Sequence, residues 1–117
     1  MTARFVLKTN GELFTFDLEA GGNLLRGERY VSKALALKRI DSVRRNAALE
    51  EHYQRKISPS GHPYFILRGA NNDILATSEL YTSRAAREEG IEAVRASAAQ
   101  AVLVDRTEPQ HGRKESA

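Results

Sequence analysis

The chain has 117 residues, of which 41% are hydrophobic and 28% charged, and its formal net charge is +3. It has no cysteine, which excludes disulfides, thiol catalysis and thiolate metal sites. The length predicts one compact unit with a real core, and the lack of a long apolar run predicts a cytoplasmic protein without signal peptide or membrane span.

The first half of the chain predicts three short strands followed by one helix. Residues 5–7 form an apolar run, Asn10-Gly11 is typical of a tight hairpin turn, and Leu24-Leu25 begins a short third strand. Ser32 is a good helix N-cap, because its hydroxyl can accept a bond from a free backbone N–H of the first turn. Behind it apolar residues recur at helical spacing: Ala36, Ile40, Val43 and Ala47.

The second of these strands has the clearest alternation. Successive side chains of a strand point to opposite faces, so a period of two separates a core set from a solvent set. The alternation predicts that Phe14, Phe16 and Leu18 face the core and that Thr15 and Asp17 face the solvent.

The second half shows the same order of elements. Residues 53–57, 64–68 and 74–76 are predicted strands. Ser83 is predicted to cap a second helix, and residues 101–104 predict a last strand. That strand has no counterpart after the first helix unless residues 53–57 serve.

The two halves match at a spacing of 51 residues. Tyr30 matches Tyr81 at the start of each helix region, and the same spacing matches Phe14 with Phe65. One copy alone would leave a sheet face and a helix stripe half covered, whereas two copies side by side can cover both.

The predicted fold is therefore α+β. Two tandem β3-α(-β) repeats, residues 4–52 and 53–105, share one mainly antiparallel sheet with both helices packed on one face, which makes a two-layer sandwich. Residues 1–105 are predicted to be one domain. Residues 106–117 have no hydrophobic periodicity and predict a disordered tail.

Four segments of the second half carry a family likeness: residues 64–71 (YFILRGAN), 74–79 (ILATSE), 81–83 (YTS) and 90–94 (GIEAV). They resemble the YegP-like family, also called DUF1508 or UPF0339, whose members are small, mainly bacterial proteins of unknown function. The likeness extends over residues 4–105 and is weaker in the first copy. It implies two β3-α-β units that share a sheet and exchange C-terminal strands, so that a two-copy monomer mimics a dimer internally. It implies no catalytic residues.

The two copies depart from each other at two small residues of this family pattern. Gly90 becomes Arg39 in the first copy, and Ser78 becomes Gly27. Gly90 should let the second helix approach its neighbours closely, whereas Arg39 cannot.

Two acidic residues are candidates for a polar site. Glu28 precedes Tyr30 by two residues, and Glu79 precedes Tyr81 in the same way. A functional interpretation pairs each Glu with its Tyr at a small polar site, one per repeat, which an enzyme could use. A structural interpretation, which we favour, places each carboxylate near the positive end of the coming helix or on a backbone N–H.

The first helix region is basic. From Arg26 to Lys56 there are nine basic and four acidic residues, a local charge of +5. This excess predicts weak nucleic-acid binding through Lys33, Lys38, Arg44 and Arg45, although a solvated helix face is the commoner origin of such a run.

No motif for a cofactor or a phosphate loop is present, and a metal site is not expected, because none of the three histidines has a second His or a carboxylate at a convincing ligand spacing. The sequence thus favours a non-enzymatic binding or interaction module with an unknown partner. Weak nucleic-acid binding is the alternative, and an enzyme using the Glu–Tyr pairs is the third hypothesis.

Overall fold

The computed structural model describes residues 2–107, so most of the predicted tail lies outside the described residues. There are seven strands: β1 (Arg4–Asn10), β2 (Leu13–Glu19), β3 (Asn23–Arg26), β4 (Tyr53–Ile57), β5 (Pro63–Arg68), β6 (Ile74–Thr77) and β7 (Val102–Asp105). The two α-helices are α1 (Lys33–Asn46), after β3, and α2 (Arg84–Ser97), after β6. The predicted α+β class is confirmed. None of the helices within residues 2–107 is long and apolar enough to cross a membrane.

All strands belong to one sheet with the order β4-β5-β6-β3-β2-β1-β7. Every neighbouring pair is antiparallel except β1 and β7, which run parallel. The two halves meet between β3 and β6, where a single residue pair, Arg26 and Thr77, joins them. Residues 53–57 form the outer strand of the second hairpin, so the described chain passes from α1 to β4 without a separate counterpart of β7.

Both helices begin at the predicted caps. Ser32 Oγ accepts a hydrogen bond from Leu35 N at 3.1 Å, and Ser83 Oγ accepts one from Ala86 N at 3.0 Å. An N-cap of this kind contributes about 1 kcal/mol. The apolar stripes of both helices join one core cluster with one face of the sheet, and its largest fully buried members are Phe5, Leu7, Phe16, Leu18, Leu25, Phe65, Leu67, Leu75 and Ile91.

Equivalent aromatic contacts show how the halves correspond. The ring of Phe16 stacks on Tyr30 with centroids 6.2 Å apart, and the ring of Phe65 stacks on Tyr81 at 6.3 Å. Phe65 therefore corresponds to Phe16, and its predicted match with Phe14 is wrong. The reason is loop length: β2 pairs Asp17 with Arg26 across nine positions, whereas β5 pairs Ile66 with Thr77 across eleven.

The second strand partly departs from its predicted alternation. Phe16 and Leu18 are fully buried in the core, but Phe14 is only half-buried. Thr15 and Asp17 do point to the other face, yet they are 8% and 3% exposed rather than open to solvent. Long neighbouring side chains explain this, because those of Lys8 and Arg26 reach over the sheet to the Asp17 carboxylate.

Candidate functional site

A cleft of about 640 Å³ opens where the two halves of the sheet meet. It is formed by residues at the ends of β3 and β6 and by the segments that follow them. Both halves contribute polar side chains, and the cleft brings the two candidate carboxylates together. Its polar lining consists of Arg26, Glu28, Arg29, Thr77, Ser78 and Glu79.

Hydroxyl groups fix the backbone of both glutamates at this cleft. Thr15 Oγ1 donates a hydrogen bond to the carbonyl of Glu28 at 2.8 Å. In the other half Ser78 Oγ accepts a bond from Phe65 N at 2.9 Å and donates one to the carbonyl of Glu79 at 2.8 Å. The main chain at each Glu is therefore held to its sheet, while the carboxylates remain partly or fully exposed to solvent.

An ion-pair chain runs across the face of the sheet that the helices leave uncovered. Lys8 Nζ lies 2.5 Å from Asp17 Oδ2, Arg26 Nε lies 3.5 Å from Asp17 Oδ1, and Arg26 Nη2 lies 3.2 Å from Glu79 Oε2. Arg26 thus connects a buried carboxylate of the first half with an exposed one of the second. This role of Arg26 could not be predicted from the sequence, because it depends on the register that places Arg26 beside Asp17.

The tyrosines lie on the core side rather than in the cleft. The hydroxyl of Tyr30 accepts a bond from the backbone N–H of Glu28 at 3.3 Å, not from its carboxyl group. Within residues 2–107 no hydrogen bond joins the carboxylate of Glu28 or Glu79 to either tyrosine hydroxyl. Burial raises the pKa of Tyr30 and of Tyr81, so both hydroxyls stay protonated at neutral pH. The structure therefore brings the two glutamates together but does not form the predicted Glu–Tyr pairs.

Tyr81 also explains the small residue in the second helix. A Cβ built on Gly90 would lie 2.6 Å from Tyr81 Cζ and still closer to the hydroxyl oxygen. Gly90 therefore permits the close approach that the sequence predicted. In the first half Arg39 extends outward instead, where its guanidinium lies 3.7 Å from Asp73.

Two of the four candidate nucleic-acid contacts are used within the fold. Arg44 Nη1 donates hydrogen bonds to the carbonyls of residues 98, 99 and 101, and its guanidinium lies 4.8 Å from the ring centre of Phe5. Lys33 Nζ lies 2.6 Å from Asp105 Oδ2. Burial opposes ionisation of Asp105, but hydrogen bonds from Lys33 and Thr107 outweigh it and lower the pKa of Asp105 to about 2.

The other two candidates remain on the surface of α1. Lys38 and Arg45 are exposed, and together with Arg39 they line a shallow groove of about 430 Å³. Asp73 lies in the same groove and offsets part of its positive charge. Within residues 2–107 there is no group of three or more His, Asp or Glu side chains placed to hold a metal ion.

Relatives cover nearly all of the chain. A UPF0339 protein of Bordetella pertussis is 40% identical over 110 residues, which is 92% of this chain and 99% of the relative. YegP of Escherichia coli K12 is 38% identical over 102 residues, or 86% of this chain and 93% of the relative. The chain belongs to the UPF0339 (YegP-like) family. The resemblance seen in the sequence is thereby confirmed.

Two solved UPF0339 structures have the same fold. The solution NMR structure of a UPF0339 protein from Shewanella oneidensis superposes with a TM-score of 0.86 at 34% identity, covering 95% of this chain and 98% of the other. That of YegP from E. coli gives a TM-score of 0.85 at 37% identity, covering 94% and 97%. A family profile described as "Domain of unknown function (DUF1508)" matches residues 58–105, in the half where the family motifs are clearest. The family relationship assigns no activity.

Proposed function

We propose that this UPF0339 protein is a non-enzymatic interaction module, and that a polar macromolecular partner covers the cleft between the two halves. The observation that supports this proposal is the composition of the cleft. Two carboxylates and two guanidinium groups, contributed by both halves, border a cleft that is open to solvent.

The shape of the cleft favours a macromolecule over a small ligand. Small-molecule sites are typically enclosed, mostly apolar cavities that surround the ligand, whereas surfaces at the rim of a protein interface are polar and open. The ordered main chain of Glu28 and Glu79 would let a partner bind without first ordering these segments. Charged side chains that are exposed and have no ion pair within the described residues, such as Arg29, could form new ion pairs with the partner.

Site-specific photo-crosslinking in cells of the source organism tests this proposal. A photoreactive phenylalanine analogue replaces Thr77 inside the cleft, and a matched variant carries it at Asp41, which is exposed on α1. A discrete adduct from position 77 that is absent from position 41, and that disappears when Arg29→Glu is added, would support the cleft as the contact surface. Equal adducts from both positions, or none from position 77, would refute it.

A second candidate is nucleic-acid binding through the groove on α1, supported by the side chains of Lys38, Arg39 and Arg45 along one groove. Binding through so few charges should be weak and should decline steeply with salt. Fluorescence anisotropy of labelled oligonucleotides should lose its signal in Lys38→Glu/Arg45→Glu but not in Arg29→Glu/Arg84→Glu, which makes the same charge change at exposed positions outside the groove. Unchanged affinity in the groove variant would refute this candidate.

A further inference from the structure

The two halves have equivalent strands, but among the described residues only one of the two outer hairpins is covered by a further strand. At one edge β7 lies beside β1 in parallel, through the pairs from Arg4–Val102 to Leu7–Asp105. At the other edge β4 pairs with β5 on one side, and within residues 2–107 no strand lies on its other side. An unpaired edge strand presents backbone N–H and C=O groups that can pair with another extended segment.

The structure shows where an eighth strand would lie, because β4 is the counterpart of β1. Phe5 packs edge-on against Phe16 with centroids 6.1 Å apart, and Tyr53 packs against Phe65 at 5.6 Å. Leu7 pairs with Phe16, and Arg55 pairs with Phe65. Because Phe16 and Phe65 are equivalent residues, Arg55 in β4 is the counterpart of Leu7 in β1.

The contacts of β7 define what such a strand needs. Arg106 N donates a hydrogen bond to the carbonyl of Leu7 at 2.8 Å, so the backbone of Leu7 faces β7. The side chain of Asp105, beside Leu7, lies 2.6 Å from Lys33 Nζ. Lys33 is the first residue of α1 after its Ser cap. A parallel strand at this edge is thus held by ladder hydrogen bonds and by one carboxylate on the first turn of the helix.

The β4 edge offers the equivalent groups. Ser58 N donates to the carbonyl of His62, and because ladder bonds alternate along a strand, the backbone N–H and C=O groups of Arg55 and Ile57 point to the free side. Arg84, the first residue of α2 after its Ser cap, corresponds to Lys33. Arg84 is exposed and has no ion pair among the described residues.

Ion pairs and hydrogen bonds hold α2 against this edge, since Arg55 and Arg87 both pair with Glu88. Arg87 is buried, and its Nη1 donates to the carbonyl of Lys56 at 3.2 Å, so the first turns of α2 lie directly beside β4. Charged side chains on an edge strand can also serve only to prevent aggregation. That role accounts for Arg55 and Lys56. It does not account for Arg84, because Arg84 lies on the helix and its counterpart, Lys33, binds the Asp105 carboxylate.

We propose that the β4 edge binds an extended peptide segment of another protein, which adds in parallel as an eighth strand and places the carboxylate of an Asp or Glu on Arg84. Pairing of β4 with β4 of a second copy is disfavoured, because it would bring Lys56 of one copy near Lys56 of the other and like charges across a ladder repel. Arg55 adds little to this repulsion, since it is already paired with Glu50 and Glu88. This surface is separate from the cleft between the halves, so the peptide and the partner of the cleft are independent.

The probe is a capped synthetic peptide with the sequence of residues 101–107, AVLVDRT, titrated into the ¹⁵N-labelled protein. Chemical shifts and amide exchange are read at Arg55 and Ile57, whose N–H groups should exchange rapidly in the free protein and become protected when the peptide binds. Arg84→Glu should weaken the affinity about tenfold, and a peptide with Asn in place of Asp about threefold or more. Lys38→Glu, the same charge change on the surface of α1, should leave the affinity unchanged.

Several results would overturn the proposal. One is the absence of any shift or protection at Arg55 and Ile57 up to millimolar peptide. Another is a response confined to β1 and β7, which would mean that the peptide only replaces the chain's own strand. Equal affinity in Arg84→Glu would remove the carboxylate contact, and protection of β4 that rises with protein concentration without peptide would show that a second copy occupies the edge.

Discussion

The backbone approaches the core closely at Gly27, and replacing this residue by alanine tests the packing directly. A Cβ added there would lie 2.7 Å from Phe16 Cδ2 and Cζ, with Cε2 closer still. The ring cannot move away easily, because Phe16 is fully buried between Phe5 and Tyr30. The chain at Gly27 is also fixed, since its N–H donates to the carbonyl of Phe16 at 2.8 Å.

Two effects of opposite sign set the expected size. Overpacking of a dense core costs about 1–3 kcal/mol. Replacing Gly by Ala at an ordinary φ returns about 0.4–1 kcal/mol by restricting the unfolded chain. Gly27→Ala should therefore lower the free energy of unfolding by about 1–2 kcal/mol. Gly22→Ala is the matched control, because a Cβ there meets nothing within 4 Å, and it should be neutral or stabilising by up to about 1 kcal/mol.

Urea unfolding followed by circular dichroism measures both variants at once, and the difference between them isolates the clash because the unfolded-state gain is common to both. Thermal unfolding should separate them by roughly 4 °C or more. The double variant Phe16→Leu/Gly27→Ala should recover part of the loss, since leucine removes the ring atoms that the Cβ would meet. Equal stabilities of Gly27→Ala and Gly22→Ala would refute the packing argument.

Three further predictions concern the helices and β7. Ile91→Ala should cost about 2–4 kcal/mol in urea unfolding through lost burial and a cavity, and a loss under about 0.5 kcal/mol would contradict the assigned core face. Arg44→Ala should cost about 1–3 kcal/mol because it removes the bonds to three carbonyls, whereas exposed Lys38→Ala should stay within about 0.5 kcal/mol; similar losses would contradict a structural role for Arg44. The low pKa of Asp105 should make the wild type about 1 kcal/mol more stable than Asp105→Asn at pH 7. Because the pKa is lower in the folded state, that advantage is complete above about pH 4 and disappears as the pH falls through 2; a pH-independent difference would contradict it.

Local signals predicted most of the elements. The caps at Ser32 and Ser83 and the apolar stripes behind them identified both helices, because an N-cap and a period of 3.6 residues are both readable from neighbouring positions. The hairpin turns were also visible: Gly11 and Gly61 have φ of 68° and 89°, values that glycine adopts without strain.

The correspondence between halves could not be read in the same way. Phe14 and Phe16 lie on the same face of β2, and a shift of two residues leaves the inward and outward sets of a strand unchanged. The sequence spacing of 51 therefore matched Phe65 with Phe14, and no apolar residue was placed on the solvent face to reveal the error. Only the pairing register, which depends on the length of each turn, shows that Phe16 is the equivalent residue.

The candidate site was partly predictable. Glu28 and Glu79 were singled out because they repeat, and they do line one cleft. The surroundings of Asp17 and Arg44 were not predictable, because their partners lie on elements that are distant in sequence: Arg44 contacts carbonyls more than 50 residues away. In a sequence, a charged residue beside the apolar stripe of a helix is interpreted as exposed to solvent. The same pattern also occurs when, as for Arg44, the fold places backbone carbonyl groups next to the side chain.

The single ladder pair between β3 and β6 has a consequence for how the molecule unfolds. One backbone pair is a weak joint, yet α1 packs on β5 and β6 of the other half, and α2 packs on β3. Each half thus completes its hydrophobic layer with a helix from the other. Neither half can melt alone without exposing apolar surface in both, so we expect the chain to unfold as one cooperative unit rather than as two separate subdomains.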